Sequence, residues 1–114
     1  MTPQIYVNPS CSKCRTALSL LEERGIQAAA ILYLDEPPTV ADLRALMQLL
    51  AIDDPRLMMR TAEPVYAELG LDQVAGDALL ESITRHPILL ERPIFVVGDQ
   101  VVIARPAERI LEIL

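Results

Sequence analysis

Two cysteines, Cys11 and Cys14, stand three positions apart near the head of a 114-residue chain, which contains no others. A disulfide between them would close almost no loop, so as a staple it would stabilise little. Two thiolates are also only half of a structural zinc site, which needs four ligands, and the single histidine, His86, cannot complete it. No metal is therefore expected, and the spacing suits redox chemistry better. Gln4-Ile5-Tyr6-Val7 is a short apolar run bounded by Pro3 and by Asn8-Pro9-Ser10, which reads as a buried strand ending in a turn. From Ser12 to about Gly25 the apolar residues Cys14, Ala17, Leu18 and Leu21 share one face of an amphipathic helix, which Arg24-Gly25 terminates. Cys11 is thus expected at a helix start, where the first-turn N–H groups lack helical partners and the dipole is positive. A thiolate there can accept those N–H groups as an N-cap oxygen would, and its pKa should fall from about 8.5 into the range of about 3.5–7.5. Lys13 and Arg15 add nearby positive charge. Cys14 has two readings: a resolving thiol on the same helix face as Cys11, or a small apolar residue heading the buried stripe.

The elements that must hold these residues follow from the rest of the pattern. Ala28 to Leu34 is a second apolar run of strand length, closed by Asp35-Glu36-Pro37-Pro38. Strand, helix, strand implies a right-handed crossover and a parallel pair. Thr39 should cap a helix whose stripe is Val40, Leu43, Leu46, Met47 and Leu50. Between Asp53 and Pro87 only helical pieces are expected, near Pro55–Met59, Pro64–Leu69 and Asp77 to about Arg85, with Pro55 and Pro64 as first-turn prolines. Pro93 to Val97 and Gln100 to Ala104 flank Gly98-Asp99 and read as an antiparallel hairpin. Pro106 should begin a last helix with Ile110, Leu111 and Leu114 inward. The order βαβ, helical block, ββα predicts an α/β, thioredoxin-like fold with a mixed four-stranded sheet. The chain is read as a single domain over residues 1–114, carrying an all-helical insertion at about residues 39–87.

Composition narrows the function. A chain of this length buries roughly 65% of its unfolded surface and can fold without staples. Apolar residues make up 52% of it, with no stretch long enough to span a membrane. The N-terminal residues lack the basic and apolar regions of a secretion signal, so a reducing, cytoplasmic setting is expected. The net charge of −6 argues against nucleic acid and anionic membranes as partners. Lys13 is the only lysine among ten cationic residues, the others being arginines, whose planar forks suit oxyanions. The overall arginine bias is ascribed to a high-GC genome, so any anion site must come from particular arginines.

Those arginines sit in recognisable motifs. Ile5-Tyr6-x-Asn8-Pro9-x-Cys11 with Arg15, Arg60 before Glu63-Pro64 and Tyr66, Glu91-Arg92-Pro93-Ile94, and Arg105-Pro106 occur in order over nearly the whole chain. In these motifs the sequence resembles the glutathione- and glutaredoxin-coupled arsenate reductase family, a family of thioredoxin-like fold. The resemblance implies that Cys11 is the nucleophile and that Arg60, Arg92 and Arg105 gather round the oxyanion. It implies that Pro93 follows a cis peptide bond beside the cysteine, with Asn8 structural near the site. It further implies arsenate or a similar oxyanion as substrate, glutathione as co-substrate, glutaredoxin as partner and no tightly bound cofactor. A monomer is expected. Two positions depart from the family's best-studied members: Val7 stands where they carry histidine, and Cys14 where they lack a second cysteine. The C-x-x-C brings the chain nearer to the Spx-type regulators, which share the fold and bind RNA polymerase through a redox switch. A redox-sensing regulator and a general glutaredoxin-like dithiol reductant therefore stand as alternatives to the reductase.

Overall fold

The structure, a computed structural model, describes residues 2–114. These fall into two compact units, one formed by residues 2–36 with Arg92–Leu114, the other by Pro37–Glu91.

The first unit is built on a four-stranded sheet. Strand β1 (Gln4–Val7) leads into helix α1 (Ser12–Glu23) and then β2 (Ala29–Leu32), while β3 (Ile94–Val97) and β4 (Gln100–Ile103) form a hairpin. The spatial order is β2-β1-β3-β4; β1 runs parallel to β2 and antiparallel to β3, and β3 antiparallel to β4. This is the mixed sheet of the thioredoxin-like α/β class. Ile5 pairs with Phe95, and Phe95 with Val102, so one row of large side chains crosses three strands on a single face. All three are buried, together with Cys14, Ala17 and Leu21 of α1 and with Ala107 and Ile110 near the C-terminus. The α1 stripe expected from the sequence is thus the face that covers the sheet. Gly25, at a φ of +68°, supplies the left-handed residue that stops α1 while the Ile26 N–H donates back to the Leu21 carbonyl.

Strand β1 matches its apolar run, but β2 is shorter than its own: it ends at Leu32, where the chain turns, and Tyr33 is buried beyond the ladder. The C-terminal segment also differs. Ala107–Ile113 is a 3₁₀-helix, not an α-helix. With three residues per turn, Ala107, Ile110 and Ile113 share one face. Ile110 is buried as expected, but Leu111 (37 % exposed) and Leu114 (53 % exposed) face outward, contrary to the α-helical reading.

The second unit holds three α-helices. Helix α2 (Val40–Leu50) begins at Thr39, whose hydroxyl accepts the Asp42 N–H while the Asp42 carboxylate accepts the Thr39 N–H. Helices α3 (Pro64–Glu68) and α4 (Asp77–Arg85) follow, with 3₁₀ turns at Pro55–Met58, Leu71–Gln73 and Pro87–Leu89. Pro55 and Pro64 both sit in first turns. Arg56 ties the irregular stretches together: its guanidinium donates to the Tyr66 hydroxyl, the Asp54 carboxylate and the Leu71 and Val74 carbonyls. The block is not wholly helical, because Met59 and Leu90 form an isolated antiparallel bridge. Among the described residues no helix is long and apolar enough to cross a membrane.

Candidate active site

The turn after β1 builds the site. Asn8 organises it with three groups: its side-chain oxygen accepts the Ser10 N–H at 3.0 Å, its carbonyl accepts the Cys11 N–H at 2.9 Å, and its own N–H donates to Cys14 Sγ at 3.4 Å. Cys11 takes the N-cap position of α1 with extended backbone, φ −91° and ψ 125°. Its sulfur makes no side-chain cap hydrogen bond as close as an oxygen's, yet the Lys13 and Cys14 N–H groups of the first turn still act on it. The electrostatic expectation holds nonetheless. Burial pushes the Cys11 thiol up, but the Cys14 N–H, the Arg92 guanidinium, the Lys13 N–H and the Cys14 side chain outweigh it and bring the pKa to about 7. Lys13 acts here through its backbone.

Cys14, one turn on, is 0 % exposed. Burial pushes its thiol up, and although the Asn8 N–H opposes this, the adjoining Cys11 thiolate adds to it, giving about 11. Near neutral pH Cys14 therefore stays a thiol while Cys11 passes between thiol and thiolate.

Strand register explains how residues far apart in sequence reach this turn. Tyr6 pairs with Ile94, and Ile94 with Ile103. Continued two residues outward, the same registers set Asn8, Arg92 and Arg105 in one row at the end of the sheet. The contacts agree: the Ala104 N–H donates to the Pro93 carbonyl at 2.8 Å, and Arg105 Nη1 to the Arg92 carbonyl at 3.1 Å. The Arg92–Pro93 peptide is cis, as the resemblance implied, and so is Arg105–Pro106. The Arg92 guanidinium is partly buried, which disfavours its charge, but its hydrogen bond with Cys11 more than compensates, and Tyr33 also favours the charged form. Tyr33 is a neighbour the motif reading missed. Its signal was its place, one residue past Leu32, where the β1–β2 register carries it alongside Asn8.

Cys11, Cys14, Asn8, Arg92, Pro93 and Arg105 thus share the first unit. Arg60 belongs to the second, where its Nε donates to Glu63 at 3.0 Å and its Nη1 to Glu91 at 3.5 Å. Its N–H bonds the Leu89 carbonyl at 2.7 Å, and the Glu91 N–H bonds the Met58 carbonyl, so the bridge at Met59 and Leu90 holds the guanidinium and its carboxylates together. Glu63 and Glu91 were legible as motif letters but not as partners of Arg60. Among the described residues no group of three or more His, Cys, Asp or Glu side chains could hold a metal ion.

A thiolate at a helix start beside a guanidinium, on a thioredoxin-like sheet, defines a thiol-chemistry protein of that class. The chain belongs to the ArsC family, whose model matches residues 6–113. It is 47% identical over 113 residues to an arsenate reductase of Neisseria meningitidis, covering 97% of each chain. It is 42% identical over 117 residues to the uncharacterized protein YfgD of Escherichia coli, covering 99% of this chain and 98% of that one. Among solved structures, an arsenate reductase from Vibrio cholerae aligns at a TM-score of 0.96 with 46% identity, over 100% of this chain and 98% of the other.

Proposed function

We propose that this chain is an arsenate reductase that works through the Cys11 thiolate, with glutathione and glutaredoxin supplying the electrons. The observation that carries the reading is Cys11 itself, held near pKa 7 by backbone N–H groups and Arg92 in a member of the ArsC family. Arsenate is a phosphate-like anion, so thiolate attack drives negative charge onto negative charge, and guanidinium groups offset that repulsion. Arg92 already touches the sulfur, Arg105 braces the Arg92 backbone, and Arg60 contributes a third guanidinium in this reading. Attack of Cys11 Sγ on arsenic forms an S–As bond as an As–O bond breaks, and the departing hydroxyl takes one proton from solvent to leave as water. A glutathione thiolate then attacks Cys11 sulfur: an S–S bond forms, the S–As pair passes to arsenic, and arsenic(V) departs as arsenite, arsenic(III). Glutaredoxin takes glutathione from the mixed disulfide by thiol exchange, restoring Cys11. An external thiol suits this step because Cys14 is buried and protonated.

The test is arsenate-dependent NADPH oxidation in the presence of glutathione, glutaredoxin and glutathione reductase. Wild type should turn over and release arsenite, and Cys11→Ser should be inactive while folded. Arsenate-independent NADPH oxidation with a disulfide substrate, in glutathione and glutathione reductase without glutaredoxin, would instead identify a general reductant.

A further inference from the structure

We propose that Cys14 is a positioning residue for the Cys11 thiolate: its S–H donates a hydrogen bond to Cys11 Sγ, while its own sulfur is oriented by the Asn8 N–H. The geometry supplies each link. Cys14 lies one turn into α1, on the face that covers the sheet, and Cys11 packs against the same buried cluster. The Asn8 N–H reaches Cys14 Sγ at 3.4 Å, and that interaction fills the acceptor side of the sulfur. The donor side is left to the S–H, and the neighbouring Cys11 thiolate is a strong acceptor. Asn8 is itself fixed, because its carbonyl receives the Cys11 N–H and its side chain receives the Ser10 N–H. One loop residue therefore places both sulfurs.

The two ionisations agree with this direction of donation. The Cys14 side chain lowers Cys11, and Cys11 raises Cys14, as expected when a proton stays on the inner sulfur and points at the outer one. With Cys14 at about 11, that donor persists across the neutral range. Burial that makes Cys14 a poor nucleophile is what keeps it a dependable donor. Both readings of Cys14 from its spacing, resolving thiol and core filler, leave out this third role.

The inference rests on Cys11 being the working thiolate. Its test involves no arsenate, so it can fail or stand apart from the reductase reading. Thiolate absorbance in the ultraviolet is followed against pH in reduced full-length wild type, Cys14→Ala and Cys14→Ser, with Cys11→Ser assigning the transition. Alanine should move the Cys11 midpoint up by about one pH unit, roughly a tenfold smaller thiolate fraction at pH 6. Serine, which restores a donor, should leave it near wild type. An unmoved midpoint in Cys14→Ala would overturn the proposal, as would equal shifts in both variants, which would mark a packing role. A second readout needs no substitution: in wild type the infrared S–H stretch of Cys14 should fall in frequency as Cys11 ionises. A stretch that stays fixed through the transition would equally overturn it.

Discussion

Cys11 and Cys14 begin as the same chemical group and separate because one faces solvent at a helix start while the other is sealed among Ala17, Leu21 and Phe95. The outer thiol should react with alkylating agents at a rate that climbs through a midpoint near pH 7 and levels above it. Arg92 is a side chain outside the C-x-x-C that bonds the thiolate, so Arg92→Ala should raise that midpoint and also weaken arsenate or sulfate binding by about tenfold or more. Arg105→Ala should weaken the anion too, but through the Arg92 backbone it supports, with a smaller change in the thiol midpoint. Isothermal titration with sulfate and thiol titration of the same samples would separate the two effects. Arg60→Ala should weaken the anion without moving the thiol midpoint, because its hydrogen bonds run to Glu63 and Glu91. If all three variants bound the anion as wild type does, the arginines would be structural.

At the scale of elements, what the sequence made legible is what local chemistry decides. The Thr39 cap, the Gly25 stop, the first-turn prolines and the Gly98-Asp99 hairpin each need only a few adjacent residues. The candidate site was legible as motifs, and its assembly follows from register, which pairs Arg92 with Arg105 only once the hairpin is drawn. Illegible were features set by tertiary context: the 3₁₀ pitch of residues 107–113, the early end of β2, and the carboxylate partners of Arg60. One element end invites a test. Helix α2 stops at Ala51, which adopts a left-handed φ of 57° while the Ile52 N–H bonds the Met47 carbonyl, a position that favours glycine. Relief of that conformation exceeds the added chain entropy of glycine, so Ala51→Gly should stabilise the protein by about 1 kcal/mol in urea denaturation. Destabilisation by the glycine would count against a strained cap.

Across the whole molecule, the separated thiols make folding stability respond to pH in opposite senses. Cys11 is held below its unfolded value, so its contribution is complete above about pH 9 and is lost as pH falls towards about 7. Cys14 is held above its unfolded value, so its contribution is complete below about pH 9 and is lost towards about 11. The gap in unfolding free energy between wild type and Cys11→Ser, measured in reductant, should therefore widen from pH 7 to pH 9. A constant gap would contradict the lowered thiol. The burial of Cys14 has a practical corollary. With only these two cysteines in the chain, a soft electrophile supplied near neutral pH will mark one sulfur and pass over the other. The natural sequence is thus already a single-site conjugation handle: a fluorophore or spin label can be seated at the start of α1 without first engineering any cysteine away.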